Sequence, residues 1–248
     1  MNGSGELSDQ LSIGLSATIR EFLRQPINLA FLFILPPVVI TSYGSILSTL
    51  PETSMATSPG AMGATAGTLF VAAFLPAVIG LFQVISARRA DDRLSLAGFP
   101  RNVLFVTRLL AVFVSSLLTA TISIVVLTTR TDVHAVLTGG CILVFVGVLY
   151  GLIGMLIGAV LPRELEGSLV LIFLVDMDEA LASGIMETDS SLTKLFPLHY
   201  PHNLFQAAVE GNALATGDLI AAVLYGVLLL TSVLIVYTQL TERGGVLA

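Results

Sequence analysis

The sequence predicts an all-α membrane protein. It should have six transmembrane helices, an N-terminal interfacial amphipathic helix, and short outer helices between spans five and six. Three observations predict this. The chain is 55% hydrophobic, with a mean hydropathy of +0.93, above the range of an ordinary soluble domain. Six apolar runs (Leu29–Leu50, Ala64–Ser86, Val103–Thr129, Ala135–Leu161, Ser168–Ile185 and Leu219–Leu240) are near or above the length a helix needs to cross a bilayer. Nine of the eleven positive charges fall on alternate sides of these runs. Basic residues resist translocation, so the arginine-rich side is cytoplasmic and both termini are inside, in a multi-pass protein of the cell (plasma) membrane.

The charges divide as follows. Arg20 and Arg24 precede the first run. Arg88, Arg89, Arg93, Arg101 and Arg108 lie in or beside the connection from the second to the third. Arg163 follows the fourth and Arg243 the sixth, while Arg130 and Lys194 lie on the other side. The runs are continuous rather than alternating, which argues against a barrel. This divides the chain into a cytoplasmic interfacial segment (1–28), one six-span domain (29–243) and a cytoplasmic tail (244–248). Within the domain lie an inner loop at 87–102 and short outer helices within 188–217.

Residues 7–23 carry Leu7, Leu11, Leu15, Ile19, Phe22 and Leu23 on one helical face. With Arg20 and Arg24 off that face, the segment suits the membrane interface, and Pro26 ends it. Pro36-Pro37 should kink or break the first span, and Pro76 should kink the second. Pro51–Gly63 is rich in Ser, Thr, Gly and Pro and reads as a flexible loop. The fourth run contains Gly147-x3-Gly151 and Gly154-x3-Gly158, spacings that let helices pack closely within or between subunits. Leu192–Leu198 and Leu204–Val209 are too short to span and read as short outer helices.

Signs of enzyme chemistry are sparse. There is no GxxxxGK[ST], so no ATP-binding loop. His199 and His202 are three apart, but Pro201 between them should spoil a helix, and no full metal-ligand set accompanies them. Ser183-Gly184 is part of a GxSG pattern whose first glycine is replaced by Leu181. Cys141 is the lone cysteine and reads as a core residue. The net charge of −6, with basic inner loops, does not suit a nucleic-acid binder. An acidic chain with one lysine and ten arginines suggests a GC-rich or salt-adapted prokaryote.

The segment Arg88–Arg108 mixes both charge signs with Leu94, Leu96 and Phe99. A topology signal has no use for Asp91 and Asp92, whereas a docking surface uses ion pairs to orient and an apolar centre for affinity. The fifth run carries Asp176, Asp178 and Glu179. Entering at Ser168, a helix puts Asp176 about 12 Å deep, where a bare carboxylate costs at least about 2.5–3.5 kcal/mol. The acids must therefore face water, a cavity or a partner subunit, or be protonated or paired with an arginine. If the run is instead short or re-entrant, they sit in a wet outer rim. On an ideal helix Asp176 and Glu179 share a face and Asp178 points elsewhere.

Taken in order, several segments resemble the six-span permease subunits of type-2 ABC exporters. They are Arg20-Glu21-Phe22-Leu23-Arg24-Gln25-Pro26, the proline-bearing first span, Asp92-Arg93-Leu94 through Gly98-Phe99-Pro100-Arg101, the glycine-rich fourth span, Glu166-Gly167, Ser183-Gly184, and Leu195-Phe196-Pro197-Leu198-His199-Tyr200-Pro201. The resemblance covers nearly the whole chain. It implies that the loop after the second span is a coupling helix docking on a separate ATPase, with Arg88, Arg89, Asp91, Asp92, Arg93, Leu96, Pro100 and Arg101 as contacts. It also implies two ATPase subunits, which hold the ATP and Mg²⁺, and a second permease copy or homologue. This chain then binds no cofactor and is not an enzyme. The acids depart from that family, whose fifth span is usually apolar up to its Ser-Gly; read from the residues themselves, Asp176, Asp178 and Glu179 would line a translocation route favouring a cationic or amphiphilic substrate. The rival expectations are a membrane enzyme of lipid or peptide metabolism using those three acids, and a non-catalytic anchoring subunit.

Overall fold

The computed structural model describes the backbone of residues 26–50, 58–96, 101–183 and 191–243, and within these the side chains except at 26–29, 87–96, 101–104, 191–192 and 237–243. The interfacial helix expected at 7–23 lies outside the described residues. Among those described, all regular structure is helical. The helices are α1 (Pro26–Leu47), α2 (Pro59–Leu96), α3 (Arg101–Thr128), α4 (Val136–Val160), α5 (Glu164–Ala182), α6 (His199–Glu210) and α7 (Thr216–Arg243), with a 3-10 turn at Ser191–Leu195 before α6. Five of them (α1, α2, α3, α4 and α7) are long and apolar enough to cross a membrane. The chain is thus an all-α protein of membrane-spanning character. The helix α5 has 19 residues but carries five acids, and charge, not length, sets it apart from those five.

The helices α2 and α4 form the centre. Of its apolar window, α2 buries 67% and α4 56%, against 17% for α1 and 11% for α7. The outer helices present Phe31, Phe33 and Ile34 on α1 and Val223, Leu224 and Leu228 on α7 outward. In water such surface would be a liability, whereas in a bilayer it meets hydrocarbon.

Small residues set how near α2 and α4 approach. A Cβ on Gly154 would stand 1.9 Å from the Ala77 carbonyl oxygen, and one on Gly80 would stand 2.4 Å from the Gly151 carbonyl oxygen. Gly158 faces Leu81 of α2, while Gly147 and Gly151 also meet Ser116 and Val112 of α3. The four glycines thus serve contacts within the chain, on two sides of α4. Fully buried Tyr150, Leu149 and Leu143 fill the layer around them.

Several local expectations need correction. The break allowed for at Pro36-Pro37 does not occur: α1 runs through both prolines, and α2 is likewise continuous through Pro76, where a kink was expected. The Pro76 ring lies beside Gly147, where a Cβ would come within 3.1 Å of it. The flexible loop expected over Pro51–Gly63 ends earlier, because α2 begins at Pro59. Proline suits the first helical turn, whose N–H groups have no partner inside the helix.

The connection expected as a loop at 87–102 is largely helical. The helix α2 continues to Leu96 and α3 begins at Arg101, with 97–100 outside the described residues. Ala87 through Leu96 contains no glycine or proline, so nothing in that sequence stops the helix before Gly98. Arg108, counted above with the inner-loop cations, is only 8% exposed; its guanidinium donates to the Gln83 carbonyl on α2.

Replacing Gly154 with leucine should destabilise the bundle by about 1–3 kcal/mol or prevent folding, because backbone stands where the side chain must go. Gly140→Ala should be neutral, since nothing lies within 4 Å of a Cβ there. Thermal unfolding of the detergent-solubilised chain checks both.

Candidate functional site

One end of the bundle gathers the C-termini of α1, α3 and α5, the N-termini of α2, α4 and α7, and the short helix α6. Polar groups are buried there. The helix α5 spans the height needed to reach it: near its start Gly167 packs on Leu81 of α2, and just past its end Ser183 lines a cavity with Ala61 of α2. Those two α2 residues are about 30 Å apart along the helix.

The helix α5 starts at Glu164, four residues before the expected entry at Ser168. Glu164 and Glu166 lie in its first turn, where carboxylates suit the positive end of the helix dipole. An ion pair of 2.8 Å joins Arg163 to Glu166. The earlier start puts Asp176 about 18 Å along the helix instead of about 12 Å.

The three acids have three different environments. Asp176 is exposed and accepts a hydrogen bond from the Tyr43 hydroxyl of α1 at 3.1 Å. Asp178 is wholly buried; its Oδ2 accepts from the Tyr150 hydroxyl of α4 and, at 3.1 Å, from the Leu198 N–H, while Oδ1 has no hydrogen-bond partner. Glu179 is 2% exposed, and its Oε1 lies 3.3 Å from Nδ1 of His202 on α6. That is within ion-pair reach, but neither Glu179 oxygen accepts a hydrogen bond. Among the described residues no arginine answers these carboxylates: two tyrosines, a histidine and a backbone N–H lie against them.

The helix α6 is what brings His202 inward. Pro201 does not spoil it as expected, because it falls in the first turn, where its missing N–H breaks no bond. Gly211 closes the helix at φ 77°, a left-handed cap that glycine adopts freely. Pro201, His202, Leu204, Phe205 and Ala208 face the bundle. His199 lies one turn earlier and is partly exposed. Burial holds its imidazole below the ordinary value; Asp218 opposes this, and His202 and Lys194 add to it.

Beside His202 is a cavity of about 70 Å³, also lined by Leu47, Ala61, Met62, Thr65, Thr131, Ser183, Gln206, Val209 and Glu210. It has room for a few water molecules and polar groups to hold them. A larger groove of about 430 Å³ lies between α3, α4 and α7, away from the acids. Its lining, which includes Leu109, Phe113, Phe145, Leu152 and Val227, is apolar throughout and orients no polar group.

Sequence reasoning singled out Asp176, Asp178 and Glu179 but missed Tyr43 and Tyr150. A tyrosine in an otherwise aliphatic, glycine-rich run was the available signal, because a hydroxyl buried in a membrane needs a partner. It weighed His202 only as a metal ligand. The side chains of Arg88, Arg89, Asp91, Asp92, Arg93, Leu96 and Arg101 lie outside the described residues, as does all of Pro100. The backbone at 88–96 is helical. Comparison with protein-family models finds no match, and comparison with curated proteins finds none either.

Removing the phenol in Tyr150→Phe leaves Asp178 with a single donor and should lower stability by about 1–3 kcal/mol, read as a fall in melting temperature. His199 should make the fold acid-sensitive. Its folded pKa lies below its unfolded one, so the unfolded chain gains the proton first, and stability falls as pH drops through about 6.5. His199→Gln should therefore lose less melting temperature between about pH 8 and 5 than the parent.

Proposed function

We propose that this chain is the permease subunit of an ATP-driven exporter, moved by separate ATPase subunits that dock at the end of α2. The observation that carries this reading is the length of α2. Its 38 residues extend about 57 Å, nearly twice the thickness of a hydrocarbon core of about 30 Å. The apolar part ends at Ser86. The helix then continues through Arg88, Arg89, Asp91, Asp92 and Arg93 to Leu96.

A rigid extension of the central helix, carrying both charge signs, is suited to receive force from a partner. Arginine asymmetry puts that extension, and both termini, on the cytoplasmic side of a six-span bundle. The α6 end then faces outward, with the acid-bearing α5 as the fifth span. ATP-driven closure of two ATPase subunits displaces the extension, and with it α2. Because α2 packs against α1, α3, α4 and α5, one displacement reorients the bundle and switches access between faces. A second permease copy or a homologue meets the exposed apolar faces of this one.

The rival enzyme reading needs Asp176, Asp178 and Glu179 to act together. Instead they engage Tyr43, Tyr150 with Leu198, and His202, on three different elements.

Purified in mild detergent from its own host, the tagged chain should bring along an ATP-hydrolysing subunit. Exchanging charges in Asp92→Arg with Arg93→Asp should lower the hydrolysis stimulated by this chain by on the order of tenfold, about 1.4 kcal/mol of docking. Hydrolysis that ignores the exchange, or a chain that acts with no ATPase present, sinks the reading. In Cys141→Ala, a thiol placed by Gly98→Cys should react with a membrane-impermeant reagent only after cells are opened.

A further inference from the structure

Glu179 is a buried carboxylate with no hydrogen-bond donor on either oxygen. Such a group requires a proton or a counter-ion, because its own desolvation is uncompensated. Among the described residues, the packed elements supply no fixed cation. Over 59–86, α2 has no ionisable side chain, and α4 has only Cys141 and Tyr150. On α5 the neighbours are Asp176 and Asp178. Tyr43 of α1 and Tyr225 of α7 are phenols, and Arg130 at the end of α3 is exposed. On α6 stand Glu210 and His199, the latter influenced by Lys194 and Asp218.

The remaining group is His202. It is 6% exposed, its Nδ1 lies 3.3 Å from Glu179 Oε1, and it borders the polar cavity together with Thr65, Thr131, Ser183, Gln206 and Glu210. We infer that Glu179 and His202 form a proton-binding pair filled through this cavity. Hydronium in the cavity gives a proton to the imidazole and becomes water. The imidazolium then faces Oε1 through Nδ1–H. Transfer leaves a neutral carboxylic acid and a neutral imidazole able to take a second proton. Asp178 differs from this pair in that the Tyr150 hydroxyl and the Leu198 N–H donate to its Oδ2.

The test is infrared titration of the full chain in lipid nanodiscs without any ATPase, so its failure leaves the exporter reading standing, and the reverse. As pH falls, the protonated-carboxyl absorption should include a component band that Glu179→Gln removes, the other sixteen Asp and Glu keeping theirs. His202→Gln should shift that band's midpoint, because the ionisable group 3.3 Å from Oε1 is gone. In Cys141→Ala, a bulky thiol reagent attached through Ser183→Cys should slow the band's appearance after a pH jump by on the order of tenfold. If Glu179→Gln fails to fold, Glu179→Asp should keep the band and shift its frequency. A band untouched by substitution at 179, a midpoint indifferent to His202, or a rate indifferent to the blocked cavity overturns the inference.

Discussion

The closeness of α2 and α4 governs the rest of the structure. At Gly154 and Ala77, and again at Gly80 and Gly151, backbone meets backbone with no room for a Cβ. In lipid there is no hydrophobic gain from bringing two apolar helices together, so packing density and close backbone approach carry association. With this pair fixed, α3 and α5 settle against it, and α1 lies along α2. The pair also fixes Tyr150, which sits on α4 just before Gly151 and is wholly buried. The position of the Asp178 partner is thus a consequence of the glycine contact.

That consequence explains how α5 can hold two wholly buried acids. An unpartnered carboxylate inside a bundle is expensive, and the sequence suggested arginine, water or a partner subunit as remedies. The structure uses uncharged groups already present: a phenol and a helix-start N–H donate to Asp178, and an imidazole stands near Glu179 without a hydrogen bond. None carries a permanent positive charge, so the region keeps its acidic character where an arginine would have cancelled it. The hydrogen bonds to Asp178 fix its geometry; Glu179 is left with a titratable neighbour only.

The helices were legible because bilayer thickness and apolar run length are tightly linked. The expected run Val103–Thr129 meets α3 at Arg101–Thr128, and Ala135–Leu161 meets α4 at Val136–Val160. Errors arose where the signal was chemical punctuation instead. The pair Pro36-Pro37 read as a kink or a break, but neighbouring helices can accommodate the lost bond, so both stay inside a continuous helix, as does Pro76. Charged residues at 88–93 read as loop because they are polar, yet polarity does not stop a helix that has left the membrane. The site was half legible. A buried acid is conspicuous in an apolar run, but its partners come from α1, α4 and α6, far away in sequence, and only packing brings them together.

Leu81 joins α2 to α5. The Cβ of a residue at Gly167 would collide with its side chain, so α5 seats directly on α2 at the residue next to Gly80, which meets α4. A displacement of the α2 extension therefore reaches α5 through packed atoms, without an intervening loop. Twelve residues above that contact α5 carries Glu179, which faces a histidine on a different helix. A small tilt of α5 against α6 changes the 3.3 Å separation of Glu179 and His202 far more, in proportion, than it changes any helix contact. On the exporter reading, the ATP-driven lever and the proton-binding pair are two ends of one rigid connection, and linkage requires that work applied at either end be felt at the other.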